Sequence, residues 1–132
     1  MATVTKFEEL EIWQSARIFA TDIFQACINS HEFSKDYKLK DQINKASGSI
    51  MDNIAEGFER NGRNEFLQFL AIAKGSVGEV KSQLYRSRDR NYISQETFDT
   101  LYQNADELGK KIGGFMNYLK KSLLKGTKFK DR

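Results

Sequence analysis

The sequence has no proline and only one cysteine and one histidine among its 132 residues. The lack of proline excludes collagen-like and polyproline designs. A lone cysteine, Cys27, excludes an internal disulfide and a multi-cysteine zinc site, and a lone histidine, His31, excludes a metal site built from several histidines of one subunit. No apolar run approaches the roughly 18 residues of a membrane span, and no signal-peptide pattern is present, so we expect a cytoplasmic protein without membrane contact.

Apolar residues recur at steps of three and four along the whole chain, as in Leu39, Ile43, Ala46, Ile50 and Ile54. This spacing is typical of amphipathic helices, and no segment alternates with the period of two that a strand requires. The pattern predicts four helices: one before residue 29, then about 36–56, 63–90 and 95–124.

The predicted ends of these helices carry capping signals. Thr5 and Glu8 have the spacing of a capping box, Ser94 is a good N-cap, and Gly57 stands where a glycine C-cap belongs. Residues 29–34 break the apolar pattern and are predicted to form a loop. Four helices of similar length with short connections favour an all-α fold, an antiparallel up-down-up-down four-helix bundle over residues 1–124, followed by a basic tail at 125–132.

The first, third and fourth predicted helices carry more apolar or small residues than one bundle core needs. Helix-interior glycines cost about 1 kcal/mol each against alanine, so close helix–helix approach is the expected reason for them. That approach could occur within one bundle or between subunits. We expect a homo-oligomer and take as candidate interface residues Trp13, Phe24, Gly75, Gly78, Gly109 and Gly113.

Polar residues follow the apolar stripes of the second and third helices. We interpret them as a structural polar layer that fixes the register of two neighbouring helices, since buried polar groups need hydrogen-bond partners. Its expected members are Gln42, Ser49, Asn53, Glu56, Ser76 and Glu79. A di-iron site would need histidines on the same helices. We therefore expect no catalytic residue, no metal and no cofactor.

The net charge is only +3, but residues 110–132 hold eight basic residues and one acidic residue. A second basic group forms where the second helix begins and the third ends. A charged surface of this kind has two explanations. It is merely solvated, or it contacts a polyanion, most simply the phosphate backbone of RNA without reading the base sequence. The candidate nucleic-acid contacts are Lys35, Lys38, Lys40, Arg86, Arg88, Arg90, Lys120, Lys121, Lys125, Lys128 and Lys130.

Three blocks of sequence resemble a known family. The first is Phe7-Glu8-Glu9-Leu10-Glu11-Ile12-Trp13-Gln14-Ser15-Ala16, the second is Asn53-Ile54-Ala55-Glu56-Gly57, and the third is Ala73-Lys74-Gly75-Ser76 with Glu79. Together they are similar to the four-helix-bundle proteins found as reading frames in intervening sequences of bacterial 23S rRNA genes. The likeness extends over about residues 7–122.

The resemblance implies a pentameric ring of bundles. A related branch, the accessory variability determinant of diversity-generating retroelements, binds RNA and a reverse transcriptase through a basic surface, so RNA and possible protein partners are expectations here too. The resemblance implies no catalytic residue. The leading hypothesis is a non-enzymatic, oligomeric accessory protein that binds structured RNA. The alternative is an oligomeric protein-interaction scaffold, and a third hypothesis is an enzyme.

Overall fold

The computed structural model describes residues 4–122, and these residues form helices without a strand. A short 3-10 turn, Phe7–Glu9, precedes the first helix. The helices are α1 (Glu11–Asn29), α2 (His31–Lys35), α3 (Tyr37–Glu59), α4 (Arg63–Asp89) and α5 (Gln95–Lys121). The predicted all-α four-helix bundle is confirmed, with α1, α3, α4 and α5 as its long members. None of the described helices is long and apolar enough to cross a membrane.

The long helices pack in a closed square. Helix α1 lies against α3 and α5, and α4 lies against the same two helices, so α1 and α4 stand at diagonal corners. Each long helix buries the stripe that its three- and four-residue spacing predicts, for example Ile43, Ile50 and Ile54 on α3. Complete burial of such a side chain contributes about 1.5–3 kcal/mol, which explains why packing rather than intrinsic propensity holds these helices.

The N-terminus differs from the predicted capping box. The backbone N–H of Thr5 donates to Oε1 of Glu9 at 3.0 Å, not to Glu8, and α1 begins only at Glu11. The reason is the intervening 3-10 turn, which ends on Leu10, a buried residue with an extended backbone. Leu10 anchors the turn in the core, so the helix has to start after it.

The predicted loop at 29–34 is instead mostly the one-and-a-half-turn helix α2. Ser30 caps it, because its Oγ accepts a hydrogen bond from the backbone N–H of Phe33 at 3.2 Å. Phe33 is buried and ties the short helix to the core. Asp36 then caps α3 by accepting from the backbone N–H of Leu39 at 3.1 Å. Two N-caps six residues apart thus turn the chain from α1 into α3.

The corner between α3 and α4 also differs from expectation. Gly57 is not a C-cap but lies inside α3, which continues to Glu59, and the turn is made by Asn61 with φ of 65°. A Cβ at Gly57 would stand 2.7 Å from Cβ of Phe69. The glycine is therefore required by the close approach of α4. The predicted cap at Ser94 is confirmed, since its Oγ accepts from the backbone N–H of Thr97 at 3.0 Å.

Candidate nucleic-acid interface

One end of the bundle collects the basic residues expected from the sequence. We call this surface the cationic end, and it consists of Lys35, Lys38, Lys40, Arg86, Arg88 and Arg90. Lys35 closes α2, Lys38 and Lys40 belong to the first turn of α3, and the arginines belong to the last turn of α4 and its cap. Because α3 and α4 are antiparallel neighbours, the start of one and the end of the other meet there. Cations near the C-terminus of α4 also complement its helix dipole.

Arg90 is held by Asp36 at this end. Its Nη1 lies 2.9 Å from Oδ2 of Asp36, and the Tyr92 hydroxyl donates to the same oxygen at 2.8 Å. The hydrogen bond from Tyr92, the cap bond from Leu39 and the contact with Arg90 together lower the pKa of the Asp36 carboxyl below its ordinary value. The charge of Arg90 is thus compensated within the protein, and this arginine stabilises the α2–α3 corner.

Arg88 organises the turn between α4 and α5. Its Nε donates to Oε1 of Gln95 at 3.1 Å, and its Nη1 donates to Oδ1 of Asn91 at 3.2 Å and to the carbonyl of Ile93 at 3.3 Å. Asn91 has a φ of 61°, a left-handed conformation that asparagine tolerates. All three acceptors are neutral, so Arg88 is fixed in position while its positive charge stays uncompensated.

Arg86 is held in the same manner. Its Nη2 donates to Oε1 of Gln42 on α3 at 3.1 Å, again a neutral acceptor. Lys40 lies over the ring of Tyr37, with 5.1 Å between Nζ and the ring centroid. Lys35 and Lys38 are exposed and form no ion pair within residues 4–122. The sequence therefore predicted the members of this cluster, but Arg90 differs from the rest because an acid neutralises it.

Two of the C-terminal candidates, Lys120 and Lys121, lie at the opposite end of the bundle. Lys120 and Lys121 are exposed on the last turn of α5, whereas Lys125, Lys128 and Lys130 lie outside the described residues. Arg63 is placed beside them, since its Nη1 donates to the carbonyl of Ser122 at 3.0 Å.

Farther back on α5, the lysines are neutralised. Lys111 pairs with Glu11 at 3.3 Å, and Lys110 pairs with Asp106 at 3.3 Å. Asp106 also pairs with Lys81 of α4 at 3.0 Å, and these two lysines lower the pKa of the Asp106 carboxyl. This stretch of α5 therefore presents less free positive charge than the cationic end.

The expected polar layer divides into an inner and an outer part. The inner part links α3 to α4: Oγ of Ser76 donates to Oγ of Ser49 at 3.1 Å, and Nδ2 of Asn53 donates to the same Ser49 oxygen at 2.8 Å. Gln42 belongs with it through Arg86. Glu56 and Glu79 are exposed instead, and Glu56 pairs with Arg60 at 2.8 Å.

The candidate interface glycines fall into two groups, those that face another helix of the same bundle and those that face open space. A Cβ at Gly109 would contact Cγ1 of Val77 at 3.4 Å, and one at Gly113 would contact Cε of Lys74 at 3.4 Å, so both glycines serve the approach of α5 to α4. A Cβ at Gly75 or Gly78 would meet nothing within 4 Å.

The α1 members of the set are separated as well. Trp13 is half-buried against the ring of Phe7, 5.1 Å between centroids. Phe24 is 49% exposed on the flank of α1 that faces α3. Among the six residues, Gly75, Gly78 and Phe24 are therefore the ones that remain open at the surface.

Sequence reasoning missed a groove between α3 and α4. It has a volume of about 460 Å³ and is lined by polar side chains that include Gln42, Glu79, Gln83 and Arg86. The groove can be recognised only when the orientation of α4 about its own axis relative to α3 is known, and the spacing of apolar residues within one helix does not give that orientation. Within residues 4–122 no cluster of three or more histidine, cysteine or acidic side chains could hold a metal ion.

Comparison with known proteins identifies relatives of this fold. The family described as 23S rRNA-intervening sequence protein matches residues 8–114. A crystal structure at 1.70 Å of a protein of unknown function from the S23 ribosomal protein family of Bacteroides thetaiotaomicron superposes with a TM-score of 0.72. It shares 22% sequence identity, over 80% of this chain and 97% of that one. Comparison with curated proteins gives no match.

Proposed function

The chain belongs to the family of 23S rRNA-intervening sequence proteins, and we propose that it is a non-enzymatic, oligomeric accessory protein that binds structured RNA through its cationic end in the cytoplasm. Membership of this family and the clustering of basic residues at one end of the bundle are independent grounds for this proposal. The family is described by its place in a ribosomal RNA gene, and the cationic end offers the chemistry that a phosphate backbone requires.

One observation carries the proposal: Arg86 and Arg88 are held at fixed positions by neutral acceptors. An arginine neutralised by a carboxylate has little charge left for a ligand, whereas these two retain their charge while hydrogen bonds orient their guanidinium groups. Lys35 and Lys38 add unpaired charges at the same end. Phosphate contacts of this kind release counterions, so the affinity should fall steeply with salt.

Two open faces support the oligomer. The outer face of α4 is smooth at Gly75 and Gly78, while α1 exposes Phe24 and Ile28 at the diagonal corner. Two complementary faces on different sides of one subunit can make head-to-tail contacts, which form a ring when the rotation between subunits closes. We take the ring to be a pentamer, as the family resemblance implies. A ring would pool several cationic ends and raise the avidity for one RNA.

The test compares two double variants with the same loss of charge. K35Q/K38Q removes unpaired lysines of the cationic end, and K74Q/K110Q removes two lysines elsewhere on α4 and α5. Binding of a structured RNA is measured at several salt concentrations, with the particle mass determined in the same samples. We expect K35Q/K38Q to weaken binding and to reduce the salt slope by about two per subunit engaged, and the control to retain both. Equal affinities and slopes for the two variants would contradict the proposal.

A second function is favoured by the exposed apolar residues. Ile72, which is 52% exposed beside the glycines of α4, and Phe24 would both suit a protein partner. In this reading the chain is an oligomeric interaction scaffold. It predicts binding to a protein that is insensitive to salt and is lost in I72E, with only weak RNA retention that K35Q/K38Q does not change.

A further inference from the structure

The groove between α3 and α4 combines features of a binding site. Its volume of about 460 Å³ falls within the range of small-molecule sites, and Arg86 places it next to the cationic end. Gln83 lines the groove, and only 5% of this residue is exposed. Its Oε1 is buried and accepts no hydrogen bond. An unpaired buried polar atom costs about 1–3 kcal/mol, so a ligand donor that drew this oxygen toward the groove would satisfy it.

Donors are also present in the groove. The Oγ of Ser49 accepts from both Ser76 and Asn53, which leaves its own hydroxyl proton without an acceptor in those contacts. Arg86 uses one of its five N–H groups on Gln42 and keeps the others. Lys45 lies at the mouth, and its ion pair with Asp41 is so exposed that it competes weakly.

The groove therefore needs a ligand that both accepts and donates hydrogen bonds. A bare anion would be matched by Ser49 and Arg86 but would leave Gln83 unpaired. A sugar hydroxyl beside a phosphate meets both needs, because phosphate oxygens accept and the hydroxyl donates. A deoxyribose phosphate lacks that donor.

We infer that this groove binds one ribonucleotide unit of an RNA chain, with the phosphate at Arg86 and Lys45 and the 2′-hydroxyl toward the Gln83 and Glu79 side. The inference rests on the proposed RNA-binding function and specifies how RNA is distinguished from DNA. Sites built to hydrogen-bond a hydroxyl discriminate strongly against ligands that lack it, and the 2′-hydroxyl is the group that allows such discrimination between nucleic acids.

The experiment measures affinity of the intact protein for three probes of identical sequence: RNA, 2′-O-methyl RNA and DNA. The methylated probe keeps the phosphates of RNA but cannot donate from the 2′ position. Three variants are compared with the unmodified protein. Q83M replaces the amide by a side chain of similar length, Q103M makes the same change at an exposed site of α5, and R86Q removes the phosphate contact. Thermal unfolding of each variant establishes that it is folded.

We expect the unmodified protein to bind RNA about tenfold more tightly than either other probe, the effect of one hydrogen bond to a buried acceptor. Q83M should abolish that preference by lowering the affinity for RNA to about that for DNA, and Q103M should keep the preference. R86Q should weaken all three probes and reduce the salt slope. Q83M should unfold no earlier than the unmodified protein, since it removes a buried unpaired atom.

The groove assignment and the proposed RNA binding are overturned by different results. Equal binding of RNA and 2′-O-methyl RNA, or an RNA preference that survives in Q83M, would overturn the groove assignment while RNA binding itself stood. Absence of binding to all three probes at low salt would overturn the proposed function and the groove assignment with it.

Discussion

Nη1 of Arg90 lies 2.9 Å from Oδ2 of Asp36, and this ion pair joins the end of α4 to the start of α3. Asp36 uses its other carboxylate oxygen to cap α3 at Leu39, and Tyr92 donates to the oxygen that Arg90 contacts. The ring of Tyr92 in turn stacks on Phe33, with 5.2 Å between centroids. One carboxylate therefore connects a helix cap, an ion pair and an aromatic contact of the core.

We predict that Asp36→Ala lowers the free energy of unfolding by about 2–3 kcal/mol, because it removes an N-cap and hydrogen bonds to a charged group. Asp36→Asn should cost less, since asparagine caps helices as well as aspartate does. Urea denaturation measures both. The matched control is Asp41→Asn, which breaks an exposed pair with Lys45 and should change stability by less than about 0.5 kcal/mol. Equal losses at positions 36 and 41 would contradict the assigned role.

The lowered pKa of Asp36 gives a pH dependence with a definite sign. A carboxyl whose pKa is lower in the folded state stabilises the fold above its ordinary value of 3.8, and that stabilisation is lost as the pH falls through the folded-state value. The stability difference between the unmodified protein and Asp36→Asn should therefore be largest near neutral pH and should shrink below about pH 4. Denaturation curves between pH 6 and pH 3 measure it, and a constant difference would refute the linkage.

The glycines of α3 and α4 should respond to alanine in opposite directions. Gly57→Ala places Cβ 2.7 Å from Cβ of Phe69 and 2.9 Å from Cδ1 of Phe66, so overpacking should outweigh the gain in helix propensity and destabilise by about 1–2 kcal/mol. Gly78→Ala meets open space within one subunit and should stabilise the dissociated subunit by about 0.5–1 kcal/mol, so the variants are compared at a concentration at which subunits do not associate. Thermal unfolding of both variants at a fixed protein concentration tests the pair; similar shifts would contradict the packing described.

Cys27 should be inert in the folded protein. It is fully buried, burial raises the pKa of its thiol, and Asn44 donates to its sulfur at 3.6 Å. Thiolate is the reactive form, so an aromatic disulfide reagent should modify Cys27 only when the chain unfolds. The labelling rate is expected to follow the fraction of unfolded protein as urea is raised. Rapid labelling in native buffer would show that α1 opens locally.

The sequence was sufficient to predict the long helices but not the turns that connect them. The spacing of Leu39, Ile43 and Ile54 predicts α3 because residues three or four positions apart lie on the same face of a helix. That relationship depends only on neighbouring residues in the sequence. Gly57 was assigned to a cap because a glycine near a helix end has the same local signal whether it turns the chain or admits a neighbour. Only the positions of Phe66 and Phe69, on another helix, distinguish the two.

The candidate surface shows the same division. Composition located the arginines at one end of the bundle, since antiparallel neighbours bring the end of α4 to the start of α3. It did not reveal that Asp36 neutralises Arg90, whereas Gln42 leaves Arg86 charged. The spacing of residues along the chain does not show which arginine contacts the acid and which contacts the amide. The unpaired Oε1 of Gln83 likewise could not be predicted, because a sequence pattern does not show that no donor lies near this atom in the folded chain.

The short connection between α3 and α4 has a consequence for how the molecule forms. Only three residues, 60–62, separate the two helices that share the most extensive interface of the fold. Closing so small a loop costs little entropy, and contacts between neighbours in sequence form quickly. We expect this helical hairpin to be the first structured unit during folding, so that the polar groove exists before α5 completes the bundle.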